Sequence, residues 1–240
     1  MDKIVLGTLY VDAKPVHYKE QYQGEGFISI GNTRPDCGIP FWSLNGIYVA
    51  DAVLCPKVTW QALDSNGLIK GTVVFIDGNP YIVRAPKLGS SGEKTEWDDI
   101  VAEIGDDQNL WNQANVSFWG QEMVPEEKDI RIIAGGRYAK PSKRFFASSS
   151  FPINWVGYRP ILEPLPPSEP DFSQMEGQQI RAYLQDGNAI QGKLVSADEY
   201  DLIMEAALDA PSNNAGVIVR EHDIILDRKV AVWIQRVDAQ

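Results

Sequence analysis

Residues Asn115 to Leu162 read NVSFWGQEMVPEEKDIRIIAGGRYAKPSKRFFASSSFPINWVGYRPIL. An aromatic segment (Val116, Phe118, Trp119) precedes an acidic loop and a short β-branched run, Ile130 to Ile133. Gly135-Gly136 follows, then a polar loop of Lys, Arg and Ser, and the closing strand Val156-Gly157-Tyr158-Arg159-Pro160-Ile161-Leu162. Apolar runs of this length, bounded by Gly, Pro and Ser clusters, predict strands. The loop between them carries charge and aromatics together, so core and candidate surface meet in this one stretch.

Immediately upstream, the spacing predicts a helix over Glu96 to Ile104, capped by Thr95. Trp97, Ile100, Val101 and Ile104 recur at i, i+3, i+4 and i+7 and form one apolar stripe. Glu96, Asp98 and Asp99 lie in its first turn, where the helix dipole favours negative charge, and Gly105 stops it. A shorter helix, Thr59 to Leu63, begins at Thr59. Lys70 to Ile76 and Tyr81 to Arg84 read as a hairpin around Asp77-Gly78-Asn79-Pro80, because Asp-Gly is a strong turn signal. Residues 3–50 supply short β-like runs, Ile4 to Tyr10, Gly26 to Ile30 and Gly46 to Ala50. Asn32 to Asp36 and Cys37-Gly38-Ile39-Pro40 read as irregular loop, and Ser90-Ser91-Gly92 as a loop tip.

Downstream, Pro164-Leu-Pro-Pro-Ser-Glu-Pro170 puts four prolines into seven residues. Such a run forms neither helix nor ladder, so it marks a semi-rigid linker. Beyond it the pattern is all β: Gln178 to Leu184, Ala189 to Ser196, Asp201 to Leu208, Val217 to Val219, Ile224 to Leu226 and Val230 to Val237. Short strands at this density predict a small SH3-like barrel.

The chain has 240 residues, 44% hydrophobic content and seven Trp, enough for one large domain or two smaller ones. No apolar run is long enough to span a bilayer, and MDKIVLGTLY lacks a signal-peptide pattern. The expected location is therefore cytoplasmic or, by the resemblance below, virion-associated. Two cysteines, Cys37 and Cys55, fit a reducing setting, with one disulfide between them left open. A formal charge of −11 weighs against general affinity for nucleic acid or anionic membrane.

The order of short motifs in the opening stretch resembles the formylglycine-generating, sulfatase-modifying branch of the C-type-lectin-like fold. Asn115 to Trp119 matches its NVWEW-like segment and Arg131 to Gly136 its RVxRGGS-like strand. Arg144 matches its arginine-bearing loop, and Gly157-Tyr158-Arg159 its final GFR strand. Leu184, Asp186-Gly187, Gly192, Leu194 and Asp198-Glu199-Tyr200-Asp201-Leu202 resemble the first motif of Sm-like barrels. Together the resemblances imply an α+β chain: a lectin-like domain over residues 1–163, a linker over 164–172, and an Sm/SH3-like barrel over 173–240. They also imply a phage or prophage connection, since lectin-like domains of this branch serve as receptor-binding and variable proteins of phages.

Catalytic chemistry is not expected. The thiolate positions that hold copper in the resembled enzymes fall on Lys140 and Phe145, neither of which offers soft sulfur. The iron-dependent relatives need several histidines, and this chain has His17 and His222 alone. P-loop, GxSxG, metal-spaced histidine and Rossmann patterns are also missing. No cofactor is expected. A calcium ion at Asp106, Asp107 and Asn109 has suitable oxygen chemistry but no standard spacing.

The expected binding surface is the loop RYAKPSKRFFASSS, with Arg137, Tyr138, Lys140, Lys143, Arg144 and Phe145 as ligand-binding residues. Aromatics interleaved with cations suit a binding surface; the competing reading makes the Phe pair core. The ligand would be protein or carbohydrate. Association through the barrel is expected at Tyr200, Asp201, Arg228, Lys229 and Trp233. RNA binding there is the alternative, and a cryptic enzyme a second one. Residues 173–240 hold six basic and eleven acidic residues, a net of −5, and Asp201 cannot donate as Asn can. Both features favour protein association over RNA.

Overall fold

The computed structural model describes residues 2–89, 94–107, 109–111, 115–124, 127–136, 139–165, 172–184, 188–206, 216–220 and 223–237. It divides into two units, residues 1–77 with 81–164, and residues 78–80 with 165–240.

The first unit opens with β1 (Lys3–Val11), β2 (Lys14–Val16), β3 (Ile28–Gly31), β4 (Gly38–Leu44) and β5 (Ile47–Ala50). Helix α1 (Trp60–Ser65) leads to β6 (Thr72–Ile76) and β7 (Asn79–Arg84), and α2 (Glu96–Ile104) to β8 (Ser117–Val124). Then come β9 (Glu127–Gly135), β10 (Arg144–Ser148), β11 (Val156–Gly157) and β12 (Ile161–Pro164). One sheet runs β2-β1-β4-β5-β12-β7-β6, with β3 also on β1; a second runs β10-β9-β8-β11.

Local chemistry accounts for the sharpest features. Asp77 and Gly78 both take positive φ, 52° and 79°, as the tight turn between β6 and β7 needs. Thr95 Oγ1 accepts from the Asp98 N–H while Asp98 accepts from the Thr95 N–H, a capping box that starts α2. Trp97, Ile100 and Val101 are buried, packing with Trp111, Phe118, Ile132 and Ile161 in one core cluster. Trp97 meets Phe118 edge-on at 4.7 Å between ring centroids. A second cluster, including Leu9, Phe41, Leu54, Leu63, Trp119 and Tyr158, fills the rest.

The second unit contains β13 (Gln179–Leu184), β14 (Ala189–Ala197), β15 (Asp201–Ala206), β16 (Val217–Arg220), β17 (Asp223–Asp227) and β18 (Ala231–Arg236). They form one antiparallel sheet in the order β16-β17-β15-β14-β13-β18. Ile180, Ala182 and Leu184 are buried and alternate with more exposed neighbours, the period-two pattern of a strand with one core face. A register shift between Leu194 and Ser196 bends β14.

The expectation of an α+β chain with a lectin-like first domain is corrected. Strands take 51% of the structure and helices 10%, with two α-helices and curled sheets, which fits an all-β fold. The helices are six and nine residues long, too short to form a layer of their own. The sheet grew from segments read as loop. Gly38 to Leu44 contains Pro40 yet forms β4 between β1 and β5, and the closing strand splits into β11 and β12, which join different sheets. Cys37 and Cys55 are both free thiols. The Ser90–Gly92 tip and most of the proline linker lie outside the described residues.

Candidate functional site

The four-stranded sheet ends in a cleft of about 870 Å³ lined by Ser117, Gly135, Gly136, Lys143, Phe145 and Trp155, with Asn115, Arg144 and Phe146 beside them. Its floor is backbone. Ser117 Oγ donates to the Gly135 carbonyl at 2.9 Å. Gly136 has φ +119°, and a Cβ there would lie 2.3 Å from Ser117 Oγ, so any side chain would clash with the floor. On one side the start of β10 raises Lys143 to Phe146. On the other, the Ser117 N–H donates to the Trp155 carbonyl at 2.8 Å and fixes the backbone that carries that indole.

The aromatic walls face water: Phe146 is 64% exposed, Trp155 51% and Phe145 38%. The Phe pair is therefore surface rather than core. Exposed aromatics grouped around a concavity are unusual, because a folding chain gains by covering them.

The loop that supplies the cations is pinned from behind. Trp97 Nε1 donates to the Pro141 carbonyl at 2.9 Å, and the Ser142 N–H and Oγ donate to Asp106. Arg144 Nη2 donates to Thr95 Oγ1 and Asp98 Oδ1, at 2.9 and 2.7 Å. Burial alone would raise the Asp98 carboxyl, but the hydrogen bonds from Arg144 and Thr95 outweigh it and hold the carboxyl below its ordinary value. Arg144 thus joins the cleft wall to the start of α2.

Of the loop residues expected to bind ligand, Lys143, Arg144 and Phe145 line the cleft. Lys140 turns toward Asp106, 3.8 Å away. Arg137 and Tyr138 lie outside the described residues. Sequence reasoning missed Trp155 and the Gly135-Gly136 floor as parts of one site; nothing periodic marks Trp155, which reaches the cleft through its bond to Ser117. Asp107 Oδ1 accepts from the Asn109 N–H and Nδ2. Among the described residues no group of three or more His, Cys, Asp or Glu is arranged to hold a metal ion.

In the second unit, Tyr200, Asp201, Arg228 and Lys229 come together at one end of the sheet. The Arg228 N–H donates to the Tyr200 carbonyl at 2.8 Å. Asp201 pairs with Asp227 across β15 and β17, and the Asp227 carboxylate caps the turn that holds Lys229. The Arg228 side chain is committed: Nη1 donates to the Asp198 carbonyl at 2.6 Å, and the guanidinium stacks 4.6 Å above Phe172. Backbone N–H groups of Asp201 and Tyr200 hold the Asp198 carboxyl below its ordinary value. Trp233 stands apart on β18, opposite Tyr183.

No known family model matches this chain, and no curated protein or solved structure matches it. Among the described residues no helix is long and apolar enough to cross a membrane.

Proposed function

We propose that this is a non-catalytic binding protein whose ligand occupies the cleft at the end of the four-stranded sheet. The observation that carries this reading is the set of water-exposed aromatic rings, Phe145, Phe146 and Trp155, around a glycine floor with Lys143 at the rim. Rigid aromatic surface near a cation supplies contact area at low entropic cost. Among the described residues the lining holds no histidine, cysteine or carboxylate, and its one hydroxyl nucleophile, Ser117, donates its proton to the Gly135 carbonyl rather than to a base. The test is a panel of oligosaccharides and peptides titrated against the native chain and against Trp155→Ala. Binding by the native chain that Trp155→Ala weakens supports the reading; a panel ignored by both, or bound equally by both, removes it.

The second unit supports a further role in association. Among the described residues its sheet ends on β16 and β18, each paired on one side, and β16 exposes Ile218 and Val219 at 51% and 36%. Apolar edge strands favour pairing with another chain, and the net charge of −5 on residues 173–240 makes protein a better partner than RNA. The mass of the full chain in solution decides this. An oligomer that Ile218→Lys dissociates fits; a monomer at high micromolar concentration does not.

A further inference from the structure

Two backbone bonds fix which way the peptide groups of β10 point. The Gly135 N–H donates to the Lys143 carbonyl at 2.9 Å, and the Ser149 N–H donates to the Asp129 carbonyl at 2.7 Å. Between them Phe145 faces Ile133 and Ala147 faces Arg131 in the same register. In an antiparallel pair, alternate residues turn both peptide groups toward the partner strand. The odd-numbered residues of β10 therefore bond to β9, and Arg144, Phe146 and Ser148 turn their N–H and C=O groups outward. β10 ends its sheet. Phe146 is 64% exposed, and among the described residues no backbone hydrogen bond engages these outward groups, so the row stands unpaired beside the cleft.

We propose that β10 takes an extended, acidic polypeptide segment as a fifth strand, with one end of that segment seated in the cleft. The proposal rests on the cleft being a binding site and adds the class of its ligand. Outward groups recurring every second residue, about 6.8 Å apart, match the spacing of another strand. A glycan has no comparable row of alternating donors and acceptors. Charge selects an acidic segment. In a chain of net −11, β10 begins at Arg144 and Lys143 immediately precedes it. Arg144 is held by Asp98, while Lys143 has no ion-pair partner among the described residues and sits on the cleft rim.

The test selects a random-sequence peptide display library on the full chain and measures the selected peptides on variants. Phe146→Pro deletes an outward N–H that β9 does not use, so the β9–β10 ladder survives it; Phe146→Ala controls for loss of the ring. Methylating alternate peptide nitrogens of the ligand makes the same cut from the other side and needs no protein variant. The expected peptides are rich in Asp, Glu and β-branched residues. They should bind about tenfold or more weakly to Phe146→Pro than to Phe146→Ala, and lose a similar factor on N-methylation. Lys143→Glu should weaken them too. Basic peptides, peptides indifferent to both cuts, or no enrichment would overturn the proposal. A native dimer that Phe146→Pro converts to monomer would overturn it as well, since the edge would then belong to a second copy. Peptides or glycans that depend on Trp155 but not on the edge would remove the fifth strand and leave the cleft standing. Absence of all binding would remove both.

Discussion

The guanidinium of Arg159 lies 4.8 Å from the centroid of the Trp111 ring, a cation walled by aromatics and wholly buried. Phe118 and Trp97 complete the wall at 4.9 and 5.8 Å. Nη1 donates to the carbonyls of Ala50 and Asp51, while Nε and Nη2 find no partner among the described residues. Burial pushes its pKa down to about 9, with Asp51 opposing, and at neutral pH it remains a cation.

This arrangement makes the shape of Arg159 worth more than its charge. Arg159→Ala should cost about 3–5 kcal/mol, because it opens a cavity and leaves two buried carbonyls unpaired. Arg159→Met leaves the same two carbonyls unpaired but refills most of the volume, so it should cost clearly less. Chemical denaturation of both variants checks the order; a Met variant as unstable as the Ala variant would show that the charge itself holds the fold.

Trp119 is fully buried and donates from Nε1 to the Val58 carbonyl at 2.9 Å. Trp119→Ala should cost about 3–5 kcal/mol, a large share of a typical stability of roughly 5–15 kcal/mol. An unchanged melting temperature would contradict this packing.

Acid should weaken the first unit through Glu96. Burial alone would raise its carboxyl, but hydrogen bonds from Arg84 and the Lys87 N–H outweigh it and hold Glu96 below its ordinary value of 4.5. Arg84 also binds Glu163. A carboxylate depressed in the folded state stabilises above its unfolded pKa and loses that contribution as pH falls through the folded value. Stability should thus drop below about pH 5, and the acid slope should be shallower in Glu96→Gln. Equal slopes for the two proteins would exclude Glu96 as a source.

How far the sequence could be read depends on the range of each signal. The α2 helix was legible to the residue, because its cap, its apolar stripe and its stop are local. The Asp77-Gly78 turn was legible for the same reason. The class was not, because β5 pairs with β12 across more than 110 residues of chain, Val49 with Ile161 and Tyr48 with Leu162, and no local pattern announces such a partner. The cleft was half legible. Lys143, Arg144 and Phe145 stood out as charge beside aromatics, whereas Trp155 and the glycine floor join them through pairing of β8 with β9 and β11.

The two thiols should behave differently. Cys55 is buried and pushed up to about 12, chiefly by burial and then by Glu20, so its reactive thiolate is scarce at neutral pH. Cys37 is half-buried. An aromatic disulfide reagent should modify Cys37 in the native chain and Cys55 only after denaturant is added. Rapid modification of both, or protection of Cys55 lost in Cys37→Ser, would contradict this.

Arg228 and Tyr200 are neighbours that should answer differently to truncation. Arg228 holds the Asp198 carbonyl and stacks on Phe172, so Arg228→Ala removes a charge-assisted hydrogen bond and a cation–π contact at once. The expected loss is about 1–2 kcal/mol, less than the sum of the two contacts at their strongest because the site is exposed. Tyr200 has a ring 62% exposed, and its bond to Arg228 uses the backbone carbonyl, which truncation leaves in place. Tyr200→Ala should therefore stay within about 0.5 kcal/mol of the native chain. If this end of the sheet serves association, Tyr200→Ala alone should shift the oligomer equilibrium without changing stability. A matched stability loss in both variants would mean that the tyrosine ring is structural, and would remove it from the association surface.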